Sequence, residues 1–176
     1  MKFVDTGFAG AWLVEFEPAG DARGAFTETW EREAFAARGL FTAIDQVSSA
    51  DNRSAGTLRG MHYQLAPHAQ AKLVGCTAGA FYDVIVDLRP DSATFRRWYA
   101  VELRADLPRA LYVPAGFAHG YLTLRDDTTV QYLIAGRYAP AQARGVRWND
   151  PAFAIRWPAT PTVIAPRDAG YPDFAP

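Results

Sequence analysis

The feature that most restricts the fold is a succession of short β-type segments between residue 44 and about residue 135. They include AFYDVIVDLR (80–89), RWYAVEL (97–103) and ALYVPAG (110–116), and Gly, Pro, Asn and Asp separate them. Short runs rich in β-branched and aromatic residues, with turn residues between them, are typical of a sandwich or barrel. The sequence therefore predicts an all-β protein of jelly-roll type.

The N-terminal part adds two predicted strands and the one good helix signal. AWLVEFE (11–17) and GAFTETW (24–30) lie on either side of the turn PAGDAR, and EREAFAAR (31–38) precedes Gly39. Because Gly commonly follows the last turn of a helix, residues 31–38 are predicted to be helical. No linker or repeat interrupts the 176 residues, so we expect one domain over residues 1–176.

Charge and cysteine content exclude several functions. The net charge is −1 and the pI is about 6.3, so no global basic field attracts nucleic acid or an anionic membrane. MKFVDTGFAG lacks the sustained apolar core of a signal peptide, and no apolar run could span a bilayer. The single cysteine, Cys76, excludes an internal disulfide and is expected to be a buried, inert thiol. We therefore expect a soluble, cytoplasmic protein.

Four polar residues stand inside predicted strands: His62 in LRGMHYQ, Lys72 in AKLVGC, His119 in AHGYLTL and Tyr132 in TVQYLI. Imidazole, ammonium and phenol groups are those that move a proton on and off carbon. Two of the three histidines of the chain belong to this set. The pattern favours a proton-transfer enzyme over a passive domain.

Strand alternation predicts where these side chains point. Lys72 shares a face with apolar neighbours, and a charged amine does not belong in a dry core, so we expect a wet, polar barrel interior. By strict alternation His62 lies on one face with Leu58, and Arg59 lies on the other. If His62 and Arg59 serve one site, Gly60 must mark a bulge or bend between them.

The segment PAGFAH, ending at His119, has the spacing P-x-G-x-x-H and resembles the second motif of the cupin jelly rolls. In most cupins that histidine joins a His-x-His pair and a glutamate to bind a metal. Here Gly60 and Gln64 stand two residues before and after His62, so the pair is absent. Two histidines without a partnered carboxylate make a poor transition-metal site, and we expect no metal.

Nine motifs taken in order make the resemblance specific: RGAFTETW, LRGMHYQ, KLV, DVIVDLR, SATF, VPAGFAHG, Tyr132, YAP and WNDP. Over roughly residues 10–168 the chain resembles the dTDP-4-dehydrorhamnose 3,5-epimerase family. The resemblance implies a cupin-like jelly-roll barrel with one or two short peripheral helices.

The resemblance also implies a reaction that needs no cofactor. An epimerase of this kind inverts C3, C5 or both in a nucleotide-linked 4-keto-6-deoxyhexose, through an enolate, in deoxysugar biosynthesis. His62 matches the base, Tyr132 the acid, and Lys72 the cation near the enolate oxygen. Asp168 matches the carboxylate that orients the histidine and stabilises its protonated form.

Substrate binding and assembly follow from the same resemblance. Arg23, Glu28, Arg59 and His119, together with Lys72, match residues that hold the nucleotide-diphosphate sugar. The family implies a homodimer whose N-terminal strands extend the partner's sheet and help to form its site. The apolar residues of AWLVEFE fit that role, because an uncovered strand edge favours pairing.

The chain departs from the family at three places, of which the first two bear on the nucleotide- and sugar-binding shell and the third is a milder change. VSSAD (47–51) stands where relatives usually carry Q-D-N-H-S, Ala143 replaces a glutamate, and Arg167 replaces a lysine. The nucleotide (dTDP, CDP or GDP), the sugar and the number of inverted carbons therefore stay open. Two alternatives also stay open: a ketoisomerase of the same sugars, and a sugar-binding cupin module without turnover.

Overall fold

The computed structural model describes residues 1–175. Its strands are β1 (Lys2–Asp5), β2 (Trp12–Glu15), β3 (Ala19–Asp21), β4 (Gly24–Phe26), β5 (Gln46–Asn52), β6 (Thr57–Gln64), β7 (Ala71–Ala78), β8 (Ala80–Asp87), β9 (Trp98–Arg104), β10 (Arg109–Val113), β11 (Phe117–Thr123), β12 (Thr128–Ala135), β13 (Ala143–Gly145) and β14 (Val163–Ile164). The helices are α1 (Arg32–Ala36), α2 (Pro166–Ala169) and one 3₁₀ turn (Pro140–Gln142).

Two sheets face each other. One has the order β1-β2-β10-β7-β12-β5, and the other has the order β13-β6-β11-β8-β9 with β14 beside β6. All strand pairs are antiparallel except β14 with β6, and β3 and β4 form a separate hairpin. This arrangement confirms the predicted all-β jelly roll with short peripheral helices.

Alternation along the strands divides the apolar residues between an interior and two outer layers. The interior between the sheets is filled by side chains of both sheets, among them Leu13, Val74, Phe81, Ile85, Leu111, Phe117, Tyr121 and Val130. Helix α1 covers the outer face of the first sheet with Phe35, and the C-terminal segment covers that of the second with Phe153, Trp157 and Phe174. Residues on the inner faces of both sheets therefore share one interior, where polar side chains from the two sheets can meet.

The N-terminal strands differ from the sequence prediction. The segment 11–17 is no uncovered edge, because β2 lies between β1 and β10 and bonds to both. Only Gly24–Phe26 of the segment 24–30 is a strand, and it pairs with Ala19–Asp21 instead of with residues 11–17. The piece of the N-terminal region that projects without a sheet partner is the β3–β4 hairpin.

Helix α1 begins one residue later than predicted and is shorter. Glu31 caps it, since its carboxylate accepts from the backbone N–H groups of Glu33 and Ala34. None of the helices within residues 1–175 is long and apolar enough to cross a membrane. Cys76 lies half-buried, and burial raises the pKa of its thiol to about 11, so the thiolate needed for reactivity is scarce at neutral pH.

Candidate active site

A bulge in β6 places Arg59 and His62 on the same inner face. His62 pairs with His119 and Arg59 pairs with Tyr121, so three steps along β6 match two along β11. Leu58 is therefore on the outer face, paired with Leu122, and strict alternation was wrong in grouping it with His62.

Glycine is required at the bulge. The backbone of Gly60 has a φ of 128°, in the region that favours glycine. A Cβ atom at this position would lie 2.5 Å from the Cα of Gly120. The bend that the sequence required of Gly60 is thus present in the structure.

His62 is bonded to a carboxylate that arrives from the C-terminal helix α2. Its Nε2 lies 2.8 Å from Oδ1 of Asp168, whose Oδ2 accepts from the backbone N–H of Gly60 at 3.0 Å. Asp168 is only 5% exposed, and burial opposes its ionisation. The bonds from His62 and Gly60 outweigh that effect and lower the pKa of Asp168. A carboxylate on Nε2 favours the tautomer in which Nδ1 of His62 carries the free lone pair.

The buried carboxylate of Asp83 is hydrogen-bonded to His119 and interacts electrostatically with Lys72. Nε2 of His119 lies 2.6 Å from Oδ1 of Asp83, and the other oxygen of Asp83 has no partner within residues 1–175. Burial raises the pKa of Asp83, while His119 and Lys72 oppose the shift. Burial likewise lowers the pKa of Lys72, and Asp83 opposes that shift.

Asp83 was not among the predicted site residues, although its sequence carries a signal. It alternates with Phe81 and Ile85 in β8, both fully buried, so parity alone places it in the interior. A carboxylate at such a position needs a cationic or hydrogen-bonding partner. The partner itself could not be read from the sequence.

Tyr132 projects from β12, in the sheet opposite to the one that carries His62. Its ring stands edge-on to that of His119, with centroids 6.1 Å apart. Burial first, and then the nearby Tyr121 and Asp83, raise the pKa of Tyr132 well above its usual value. At neutral pH this phenol holds its proton and is available as an acid.

A cavity of about 290 Å³ joins His62, Lys72, His119 and Tyr132. It is lined by Ser48, His62, Tyr63, Gln64, Gln70, Lys72, His119, Tyr132, Ile134, Tyr138, Ala143, Arg144 and Arg167. Arg59, His62 and Asp168 also line a neighbouring open cleft of about 440 Å³. A large apolar cluster fills much of the interior, so the predicted polar interior is confined to part of it. Within residues 1–175 no cluster of three or more His, Cys, Asp or Glu side chains could hold a metal ion.

Two predicted binding residues lie away from the cavity within this chain. Arg23 is on the β3–β4 hairpin, where its guanidinium contacts Asp21 and its side chain is 90% exposed. Glu28 follows the same hairpin and is exposed. Neither lines the cavity or the cleft.

All three departures from the family pattern touch the cavity. Ser48 of the segment 47–51 faces Tyr132 across the β5–β12 pair and lines the cavity. Ala143 and Arg167 line it as well, and Arg144 adds a second guanidinium that the sequence reasoning did not assign. The altered positions are therefore in contact with whatever occupies the cavity.

Comparison with known proteins gives a consistent result. A family model described as dTDP-4-dehydrorhamnose 3,5-epimerase matches residues 5–176. The dTDP-4-dehydrorhamnose 3,5-epimerase of Sinorhizobium fredii is 39% identical over 175 residues, which cover 99% of this chain and 90% of that protein. The Escherichia coli K12 protein of the same name is 39% identical over 170 residues, covering 96% of this chain and 91% of that one.

Solved structures agree with the sequence matches. The Bacillus anthracis dTDP-4-dehydrorhamnose 3,5-epimerase, solved with TDP and PPi bound, superposes with a TM-score of 0.94 at 42% identity, covering 98% of this chain and 99% of that one. The Legionella pneumophila enzyme in complex with dTDP-4-keto-L-rhamnose gives 0.91 at 32% identity, with 97% and 90% covered. A 3'-monoepimerase from Streptomyces bikiniensis, solved with dTDP-quinovose, gives 0.88 at 38% identity, with 94% and 84% covered.

Proposed function

The chain belongs to the dTDP-4-dehydrorhamnose 3,5-epimerase family, and from that premise we propose that His62 and Tyr132 carry its reaction as base and acid. It is an isomerase of deoxysugar biosynthesis, an epimerase that acts at C3, C5 or both of a nucleotide-linked 4-keto-6-deoxyhexose. The observation that carries the assignment is that His62 and Tyr132 enter one cavity from opposite sheets.

In the proposed reaction Nδ1 of His62 removes the proton from a carbon next to the C4 carbonyl. The electron pair of the broken C–H bond moves into the enolate, and the ammonium of Lys72 stabilises the charge on its oxygen. The carboxylate of Asp168 lies 2.8 Å from Nε2 of His62. It stabilises the imidazolium that forms. Tyr132 then gives its proton to the opposite face of the carbon, so the new C–H bond has the inverted configuration.

The substrate that the relatives favour is dTDP-4-dehydro-6-deoxyglucose or a close relative. Arg59, which lines the cleft beside His62, is suited to the diphosphate because a guanidinium binds two oxygens at once. His119 and Lys72 line the cavity itself, and we assign them to the sugar. We also propose a cytoplasmic location, to which a single unpaired cysteine is suited.

Solvent exchange tests this function directly. Incubated with dTDP-4-keto-6-deoxyglucose in D₂O, the protein should place deuterium at C3, C5 or both, as followed by NMR. His62→Ala should abolish the exchange and retain dTDP binding. The matched control is His68→Ala, since His68 is exposed and lies outside the cavity.

The outcomes separate the alternatives. Exchange at one carbon identifies a monoepimerase, and movement of the carbonyl from C4 to C3 identifies a ketoisomerase. If no exchange occurs with dTDP, CDP or GDP sugars, the enzyme assignment is wrong. Equal activity of His62→Ala and the wild type rejects His62 as the base.

We further propose that two copies of this chain complete each other's sites through the β3–β4 hairpin. The hairpin projects without a sheet partner, and Phe26, the last residue of β4, is 77% exposed. Arg23 in its turn and Glu28 just after it are exposed, and the guanidinium of Arg23 suits a nucleotide diphosphate. Such a hairpin needs a free strand edge on the partner, and β5 offers one, because it ends its sheet with β12 on one side. A hairpin that joined the partner's β5 would carry Arg23 towards the partner's His62.

Mixing two inactive variants tests this assembly. In the proposed dimer each site uses the His62 of its own subunit and the Arg23 of the other. Arg23→Ala therefore damages the other subunit's site, and His62→Ala damages the site of the subunit that carries it. When equal amounts of the variants pair at random, about half of the dimers contain one copy of each. One of the two sites in such a dimer has both residues, so mixing should restore roughly a quarter of wild-type activity. No recovery after mixing, or a monomer by analytical ultracentrifugation, contradicts the shared site.

A further inference from the structure

The WNDP motif (148–151) forms a turn that holds a distant part of the chain. Its aspartate, Asp150, is 1% exposed, so its carboxylate needs hydrogen-bond donors. Oδ1 accepts from the backbone N–H of Ala152 within the turn at 2.7 Å. Oδ2 accepts from the backbone N–H of Phe174, which lies 24 positions further along the chain. One oxygen of Asp150 thus shapes its own turn, and the other holds the segment that follows α2.

Two further contacts join the same turn to the end of that segment. A guanidinium nitrogen of Arg147 lies 2.5 Å from a carboxylate oxygen of Asp173. The ring of Phe174 packs against Phe153, which belongs to the turn, with centroids 5.3 Å apart. Together with the bond from Asp150 these contacts form a clamp on the segment. Because a partly exposed ion pair contributes little, the buried carboxylate and the ring packing are its main parts.

The clamped segment is the one that carries Asp168. Its helix α2 has only four residues, too few for a helix that is stable by itself. The segment is fixed before α2 by β14, which has two residues and pairs with β6. It is fixed after α2 by the clamp. Asp168 therefore lies on a short span between two anchors, and its place beside His62 depends on both.

Tyr171 connects the clamped segment with the histidine a second time. Its ring lies against Gly145 and leaves no room for a Cβ atom there. Gly145 is the residue of β13 that pairs with His62. The same tyrosine ring stands edge-on to the imidazole of His62, with centroids 5.9 Å apart. His62 is thus held by Asp168 at Nε2 and by Tyr171 at its ring, and both belong to the clamped segment.

We propose that Asp150 is a positioning residue for this epimerase: by clamping the segment after α2, it keeps the carboxylate of Asp168 on Nε2 of His62. The inference rests on the proposed function, because it assigns His62 the role of base. It adds that the WNDP motif, which lines neither the cavity nor the cleft, acts on the base through the C-terminal segment.

NMR of the imidazole nitrogens reads the position of Asp168 without using the reaction. The chain has three histidines, so the His62 signals are identified by their loss in His62→Ala. With Asp168 in place, neutral His62 should carry its hydrogen on Nε2. Asp150→Ala should release the carboxylate and give a mixture of both tautomers. Asp5→Ala is the matched control and should leave the spectrum unchanged, because Asp5 also accepts a backbone N–H in a turn but is exposed and outside the cavity.

Kinetics test whether the clamp acts through Asp168. Asp150→Ala should slow deuterium exchange about 10-fold, the effect of one hydrogen bond to a charged group. Added to Asp168→Asn, it should cost less than about threefold more, because the charge that it positions is already gone. A purely structural role would multiply the two losses. The rates are measured well below the melting temperature of each variant.

The outcomes separate this inference from the proposed function. A wild-type tautomer pattern in Asp150→Ala, or losses that multiply in the double variant, overturns the role of Asp150 and leaves the function standing. No exchange by the wild type overturns the proposed function, and the NMR pattern still decides whether Asp150 holds Asp168 on His62. Should Asp150→Ala not fold, Phe174→Ala decides in its place, because it removes the ring of the clamp and keeps the WNDP turn. It should give the same mixture of tautomers, and an unchanged pattern overturns the inference.

Discussion

Replacing Asp168 with asparagine removes one negative charge beside His62 while keeping the shape of the side chain. The carboxylate matters most when the imidazole holds the proton of the substrate, because the bond between them is then charge-assisted. Its geometry is favourable, with 2.8 Å from Nε2 to Oδ1 and a carboxylate that is 5% exposed. Hydrogen bonds to charged groups contribute about 1.5–3 kcal/mol. At about 1.4 kcal/mol per factor of ten, loss of the charge alone slows exchange about 10- to 150-fold.

The orientation of the new amide determines whether the loss is larger. Asp168 also accepts from the N–H of Gly60 at 3.0 Å, so the amide oxygen of asparagine has two donors to choose between. If the oxygen stays on Gly60, the NH₂ group faces Nε2 of His62 and forces the hydrogen onto Nδ1. The base then has no free lone pair towards the cavity. A wrong histidine tautomer in a Ser-His-Asp triad costs about 10⁴-fold, which sets the upper bound.

Deuterium exchange at C3 and C5, followed by NMR, measures the effect, and calorimetry with dTDP checks that binding persists. Asp106→Asn is the matched control, since Asp106 is exposed and bonds to Arg104 at the surface, outside the cavity. A loss of about 10- to 150-fold indicates that the charge was removed, and a loss near 10⁴-fold indicates the wrong tautomer. An Asp168→Asn rate within about threefold of the wild type would refute the argument, because neither effect can be that small.

Three further predictions concern the acid, the stability of the barrel and the bulge. Tyr132→Phe should reduce epimerised product far more than exchange, and equal losses in the NMR assay would contradict its role as acid. Burial opposes ionisation of Asp87, but bonds chiefly from Arg89 lower its pKa to about 2 from 3.8. Its charge thus stabilises the fold by about 2 kcal/mol above about pH 4, an amount lost as the pH falls to about 2. Asp87→Asn should therefore lower the free energy of unfolding at neutral pH by that amount and flatten its acid dependence in urea titrations. Gly60→Ala should destabilise the fold by more than about 1 kcal/mol, because its backbone conformation is strained for any residue with a Cβ. Gly120 also blocks the space that the new Cβ would need, and an unchanged melting temperature contradicts this prediction.

Several features could be read from the sequence because they are local. Alternation within AKLVGC, AHGYLTL and TVQYLI placed Lys72, His119 and Tyr132 on the inner face, where the structure has them. Alternation failed only in LRGMHYQ, where the bulge at Gly60 brings Arg59 onto the inner face with His62. The reason is that a bulge depends on pairing with β11, and a single strand does not show it.

Other features depend on residues far apart in the chain. Asp168 is an ordinary carboxylate in a Pro-rich tail by its local sequence, and only the family resemblance pointed to it. The fold carries it across 106 positions of sequence to His62. The Asn52 amide reaches Thr128 across 76 positions, and nothing in QVSSADN indicates that contact.

The sequence by itself determined the strand periods, the all-β class and the residue types that can move a proton. It did so because hydrophobic alternation and turn chemistry act over a few neighbouring residues. The tertiary structure alone decided which polar groups meet, since that depends on strand register, the β6 bulge and the packing of α2 against β6. It also left Arg23 on the projecting hairpin and Glu28 just after it, away from the cavity of the same chain, which local sequence could not show.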